Sequence, residues 1–353
     1  MARKLMKGNE AIGEAAIRAG CHLFFGYPIT PQNELPEYMS KRLPEVDGVF
    51  VQAESEVSAI NMVYGAAGTG SRVMTSSSSP GISLKQEGIS YIAGAELPCV
   101  IVNIVRGGPG LGGIQPAQSD YFQSTKGGGH GDYRLIVLAP STVQEMVDLV
   151  QEAFDLADKY RNPVMVLGDG MLGQMMEPVE FKEREKLDFD HSSWATVGIG
   201  DRETPNIVNS LYLDPQELED HNIKLQKKYD EITKNEIRYD TYNCDDADII
   251  LVAYGTTARI VQDVIPMAAE QGIKLGLIKP ITLWPFPYDV FKEYSDSAKA
   301  FLSVEMSMGQ MVEDVKLAVN GKKPVHFYGR SGGMIPTPEG ILGKVNEILG
   351  GLK

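Results

Sequence analysis

At 353 residues the chain is longer than most single hydrophobic cores support, so two domains are expected. Its 43% hydrophobic content describes a soluble globular protein, and a formal net charge of −14 argues against nucleic acid or anionic membrane as the main partner. No apolar run reaches the roughly 18 residues of a membrane helix; CVIVNIV at Cys99–Val105 is strand length.

In chain order, GNEAIGEAAIRAG predicts a helix closed by Gly20, followed by the strand HLFFGY. That strand runs into two prolines, Pro28 and Pro31, which fix their own φ at about −65° and push Tyr27 and Thr30 toward extended backbone. The Thr30 hydroxyl is thereby held in place. GVFVQAESE, SRVMTSSSS, PCVIVNIVRGG, RLIVLAP and PVMVLGDG are further short apolar runs ending in small or polar residues. Apolar strands separated by helices predict a parallel sheet buried on both faces. After LAP, Ser141 and Thr142 are capping residues, and Glu145 is placed to complete a capping box with Thr142.

From Glu177 to Asp246 charge replaces periodicity, which predicts an extended linker and one charged, exposed helix. Strand–helix alternation resumes at DADIILVAYGTTARIV. The expected organisation is a parallel-sheet α/β domain over 1–190, a charged linker over 191–245 and a smaller α/β domain over 246–353. Cys21, Cys99 and Cys244 are widely separated, which excludes an in-chain iron–sulfur cluster or thiolate zinc site and suits a reducing compartment. The five histidines form no spaced ligand pair. The basic opening MARKLMKGNEAIG lacks a signal peptide's apolar segment, so a cytoplasmic location is expected.

In an open parallel sheet, ligands bind beyond the carboxyl ends of the strands. Standing there, in order, are Thr30, then Glu54 and Glu56, then TSSSSPG with Ser78 and Ser79, then Arg106 before GGPGLGG; KGGGHGD, with His130 and Asp132, precedes a later strand. Singly, each has an ordinary structural reading. A carboxylate at a helix start favours the macrodipole, a serine turn caps, and an Arg at a strand end is a surface charge. Together they place a carboxylate, a cation, hydroxyls and glycine backbone on one sheet edge.

GYPITP, ESEVSAINMVYGAAGTGSRVMTSSSSPG, VRGGPG and GHGD, in this order, resemble the α-type subunit of 2-oxoacid:ferredoxin oxidoreductases, and most closely its branched-chain, 2-oxoisovalerate type. The resemblance spans essentially the whole chain. It implies a thiamin-diphosphate pyrimidine-binding domain followed by a transketolase-C-terminal-like domain. By position before VSAINM, Glu56 matches the glutamate that bonds the pyrimidine N1′ and promotes proton removal from the thiazolium carbon. Arg106 matches the arginine that receives the substrate carboxylate, and Thr30 the threonine that reaches the oxo-acid end. Thr30, Glu56 and Arg106 are therefore the expected catalytic residues. Tyr27, Pro28, Ser78 and Ser79 join Glu56 around the cofactor, and His130 and Asp132 are expected near the substrate. Relatives commonly carry glycine where Ser79 stands.

Thiamin enzymes hold the diphosphate through Mg²⁺ on a Gly-Asp-Gly motif with an Asn downstream. Gly168–Gly170 reads GDG, but the corresponding window WATVGI, Trp194–Ile199, holds no Asn. This GDG is expected to be a strand end and turn, with no metal site on this chain. The diphosphate and Mg²⁺ are then expected on a β-type partner subunit, beside a γ-type subunit and a ferredoxin-like subunit carrying the iron–sulfur clusters. The reaction implied is oxidative decarboxylation of a 2-oxoacid with coenzyme A. The alternatives are a subunit of another thiamin-diphosphate enzyme, a 2-oxoglutarate- or pyruvate-specific member of the family, or a non-catalytic assembly subunit. A 2-oxoglutarate enzyme would need a second cation, for which Arg72, Lys85, Lys126 and Arg134 are candidates. No Gly-x-Gly-x-x-Gly opens a helix after the first strand, which disfavours a nicotinamide dehydrogenase.

Overall fold

The computed structural model describes residues 3–184, 187 and 189–351; part of the charged run EFKEREKLDFDHSSW lies outside them. The strands of the first half are β1 (Lys4–Lys7), β2 (Leu23–Gly26), β3 (Val49–Gln52), β4 (Val73–Ser77), β5 (Cys99–Val105), β6 (Ile136–Leu138), β7 (Pro163–Asp169) and β8 (Met176–Val179). Those of the second are β9 (Tyr239–Tyr242), β10 (Ile249–Val252), β11 (Leu275–Pro280), β12 (Thr282–Trp284), β13 (Ala300–Glu305) and β14 (Val325–Gly329).

The larger sheet has seven strands in the order β12-β6-β7-β5-β4-β2-β3. From β6 to β3 every pairing is parallel, so these strands end on one edge. β5 shows why its sequence is apolar throughout. Cys99, Ile101 and Val105 enter the core on one face, and Val100, Val102 and Ile104 enter the core on the other. Helices Gly8–Arg18 and Val143–Tyr160 cover one face, and helices Glu56–Ala67 and Ser79–Gly94 the other.

The second sheet has five strands in the order β14-β13-β10-β11-β9, with β9 antiparallel to β11. Helices Gly255–Ala269 and Pro338–Gly351 bury one of its faces. Its other face contributes Ile250, Val252, Ile278 and Phe301 to the same apolar cluster that holds Ile60, Ile82 and Ile101. The two sheets therefore share a core. β12 strengthens this union: it follows β11 closely but adds antiparallel to β6 at the edge of the first sheet. β1 and β8 form a separate antiparallel pair that the KLMK sequence of β1 does not announce.

The charged segment contains a helix, Pro215–Asn235, capped by Asp214, whose carboxylate accepts from Gln216 N at 2.7 Å. Leu225, Tyr229 and Ile232 are its buried stripe, and the rest is largely exposed. At Val143–Tyr160, Thr142 caps as the sequence suggests, but the box closes one residue earlier. The Glu145 carboxylate accepts from Ser141 N at 2.8 Å and from Lys279 Nζ of β11 at 2.8 Å. The seam between the sheets is also polar. Gln118 Nε2 donates to Tyr254 O at 2.8 Å, and Gln118 Oε1 accepts from Met306 N at 2.9 Å and from the Thr257 hydroxyl.

Candidate active site

The parallel order brings four loop segments side by side at the carboxyl edge: Tyr27–Thr30 after β2, Ala53–Glu56 after β3, Ser78–Ser79 after β4, and Arg106 after β5. Strand adjacency, not sequence spacing, is what assembles them.

Glu56 is the first residue of its helix and is 6% exposed, with Ser55 capping through its hydroxyl on Ser58 N at 3.2 Å. The start of a helix favours a carboxylate there. Glu54, two residues earlier, is exposed and accepts from the Ser58 hydroxyl. Burial thus separates the two glutamates. Opposite Glu56 lies Gly81. A Cβ on it would meet Ser77 Oγ at 2.1 Å and Glu56 Oε1 at 2.7 Å, so only glycine leaves the carboxylate its place.

Arg106 is buried, 8% exposed, and its guanidinium ties the loops together. Nη1 donates to Thr30 O at 3.0 Å and Nη2 to Leu111 O at 3.1 Å, which fixes both the proline-bracketed turn and the glycine-rich loop. Its Nε has no partner among the described residues. Ser79 explains why a hydroxyl stands there: its Oγ accepts from Arg106 N at 3.1 Å, and its own N–H donates to Asn103 Oδ1 at 3.2 Å. The hydroxyls of Ser77 and Ser78 are buried without partners among the described residues. Buried donors left unpaired are uncommon and mark a place where a polar ligand fits. Tyr27 is half-buried and Pro28 exposed at the same rim.

His130 and Asp132 lie apart from these residues. Both are exposed; the His130 ring packs edge-on to Tyr91 with centroids 5.9 Å apart, and its carbonyl accepts from Ser90 Oγ at 2.7 Å. Ser90 is about three helical turns from Ser79, at the far end of the helix. Three of the four candidate cations, Arg72, Lys126 and Arg134, are likewise turned elsewhere. Arg72 bonds Asp155 and Asp158, each at 2.7 Å, and Lys126 pairs with Asp314. Arg72 and Arg134 stand before β4 and β6, at the opposite sheet edge.

Asp169 of the GDG segment is 3% exposed and fully engaged. Oδ1 accepts from Met171 N at 2.9 Å and Leu172 N at 3.2 Å, capping the short helix Gly170–Gln174, while Oδ2 accepts from Thr256 Oγ1 at 2.6 Å. Burial pushes its carboxyl above the ordinary aspartate range, against those bonds. Both of its oxygens thus accept hydrogen bonds from within the chain.

Sequence reasoning missed Asp120, Asn103 and Gly81. Asp120 accepts from Asn103 Nδ2 at 2.9 Å, and burial raises its pKa despite the bonds from Asn103 and Ser79. It faces a cavity of about 540 Å³ between the two sheets, alongside Ser79, Gln123, Met306, Gln310 and Ser331. Only a polar residue inside the apolar run CVIVNIV, Asn103, hinted at this. Among the described residues no His, Cys, Asp and Glu group is arranged to hold a metal ion, and no helix is long and apolar enough to cross a membrane.

Comparison with known proteins places this two-sheet α/β chain in the thiamin-dependent oxidoreductase class. Residues 14–239 match the family model "Pyruvate flavodoxin/ferredoxin oxidoreductase, thiamine diP-bdg", and 247–341 match "Pyruvate:ferredoxin oxidoreductase core domain II". The chain belongs to this family of 2-oxoacid:ferredoxin oxidoreductase subunits. It is 54% identical over 351 residues to the ketoisovalerate oxidoreductase subunit VorB of Methanothermobacter thermautotrophicus, covering 99% of each chain. It is 37% identical to the 2-oxoglutarate synthase subunit KorA of the same organism, over 97% of this chain and 98% of that one. A solved 2-oxoglutarate:ferredoxin oxidoreductase from Magnetococcus marinus, with 2-oxoglutarate, coenzyme A and succinyl-CoA bound, superposes with a TM-score of 0.88 at 28% identity. The match covers 98% of this chain but 65% of that one, so this chain spans about two thirds of the solved chain's length.

Proposed function

We propose that the chain is the pyrimidine-binding, substrate-positioning subunit of a heteromeric 2-oxoacid:ferredoxin oxidoreductase that acts on branched-chain 2-oxoacids. The overall reaction takes a 2-oxoacid, coenzyme A and oxidised ferredoxin to acyl-CoA, carbon dioxide and reduced ferredoxin. The observation that carries the reading is the convergence of Thr30, Glu56, Ser78, Ser79 and Arg106 on one sheet edge, in a chain so similar to a ketoisovalerate oxidoreductase subunit. The four candidate second cations are paired, buried or on the far edge, which favours a substrate without a distal carboxylate.

When bound, thiamin diphosphate supplies a nucleophilic carbon and an electron sink for decarboxylation. Glu56 would hold its pyrimidine end, with Tyr27, Pro28 and the Ser78 and Ser79 turn beside it. Gly81 keeps the Glu56 carboxylate in position for that contact. The Thr30 hydroxyl orients the oxo-acid end of the substrate from a turn held by its prolines and by Arg106. Arg106 offers the substrate carboxylate a charge in a site shielded from water, where such a bond is strongest. With both Asp169 oxygens committed, the diphosphate and Mg²⁺ belong on a β-type subunit. Electrons leave through clusters on a ferredoxin-like subunit, and a γ-type subunit completes the assembly.

The test is viologen reduction by the purified complex with several 2-oxoacids and coenzyme A. The fastest turnover is expected with 2-oxoisovalerate. Glu56→Gln should lower turnover by about 10²-fold or more, the scale of a positioned acid–base group. Glu54→Gln should do far less. Equal effects of the two changes, or a clear preference for 2-oxoglutarate, would overturn the reading.

A further inference from the structure

Lys85 is a buried charge that the reading above does not use. It sits in the helix Ser79–Gly94 with no exposed surface, and its only hydrogen bond among the described residues runs from Nζ to Thr75 Oγ1 of β4 at 3.0 Å. A neutral hydroxyl does not offset the cost of taking an ammonium out of water; a buried charge is expected to face a counter-charge.

The packing of two helices identifies that charge. Gly81 of this helix lies against the Glu56 side chain, and Gly88 lies against Ile60, where an added Cβ would approach Cγ2 to 2.5 Å. Gly81 and Lys85 are four residues apart, as are Glu56 and Ile60, so each pair shares one helix face. The two glycines bring the helices close at either end of this stretch, and Lys85 is enclosed between them, one turn beyond the residue that touches Glu56. Around it, β4 presents the neutral Thr75, and the Glu56 charge favours the Lys85 ammonium against the burial that lowers its pKa.

We propose that Lys85 is the internal counter-ion of Glu56, a positioning residue whose ammonium holds the Glu56 carboxylate in place at the sheet edge. The inference rests on Glu56 being the cofactor-facing carboxyl, but its test does not. Thermal melts of the purified complex, without added thiamin diphosphate, would compare wild type, Lys85→Met, Glu56→Gln and Lys85→Met/Glu56→Gln. Each single change strands one buried charge and should lower the melting temperature; the double change removes both and should recover most of the loss. Losses that simply add would overturn the proposal, as would failure of the double variant to assemble when either single one assembles. Assembly of the double variant where Lys85→Met does not assemble would be rescue in its strongest form. In the loaded complex, Lys85→Met should also lower kcat with the KM for the 2-oxoacid largely unchanged, the pattern of a lost transition-state contribution. An unchanged kcat would overturn the claim that Lys85 acts through Glu56. Full activity of Glu56→Gln would sink the functional reading alone, because the melting cycle reads the charge pair independently of turnover.

Discussion

Replacing Asp169 by Ala tests whether the GDG segment is a structural element or a metal site. The carboxylate caps a helix through two backbone N–H groups and receives the buried Thr256 hydroxyl from the second domain. Losing a cap costs about 1 kcal/mol. Stranding a buried hydroxyl that had a charged acceptor costs a further ~1–3 kcal/mol. Burial already disfavours the ionised carboxylate, so part of this is returned when the charge is deleted. A net loss of about 1–3 kcal/mol is expected for Asp169→Ala. Asp169→Asn keeps an oxygen for the cap and lets the Thr256 hydroxyl accept from the amide, so it should stay within about 1 kcal/mol of wild type. The assay is a melt of the purified complex, with calorimetric titration of thiamin diphosphate and Mg²⁺ on the same samples. Stability should fall in the order wild type, Asn, Ala, while cofactor affinity in the Asn variant stays close to wild type. Mg²⁺-dependent binding abolished by Asp169→Asn at unchanged stability would refute the reasoning and make Asp169 a metal ligand.

Arg106→Ala should raise the KM for the 2-oxoacid and lower turnover by a combined ~2–5 kcal/mol, with cofactor binding largely kept; cofactor affinity collapsing at unchanged KM would move Arg106 to the cofactor. Gly81→Ala places a methyl against Ser77 and Glu56 and should reduce turnover sharply in a complex that still assembles. Full viologen-reducing activity in Gly81→Ala would show that the Glu56 position is not critical. Burial lowers the Lys85 pKa from 10.5 to about 8, the Glu56 charge opposing that shift. Between those values the unfolded chain binds more protons than the folded one, so this group's contribution raises stability as pH climbs from about 8 toward 10.5. The full span corresponds to about 3 kcal/mol, and it should be missing from the alkaline melting profile of Lys85→Met.

The local order of the chain was written in the sequence. Short apolar runs set the parallel strands, Gly20 closed the first helix, and the Thr142 cap and the Glu56 helix start could be read from residue type alone, because each depends on neighbours a few positions away. The motif order also carried the family. What the sequence left undecided depends on which strands lie side by side. The order β5-β4-β2-β3 places Arg106, Ser79, Thr30 and Glu56 along one sheet edge, and it leaves His130 at the far end of a helix. A carboxylate's partners are equally non-local: Asp169 is occupied by a threonine from the second domain, and Glu145 holds a lysine of β11. β12 returns to the first sheet from within the second half, and no periodicity encodes that choice. Local patterning fixes backbone shape through short-range sterics and hydrogen bonds, whereas burial, charge pairing and the emptied space around Gly81 arise only when distant segments exclude water together.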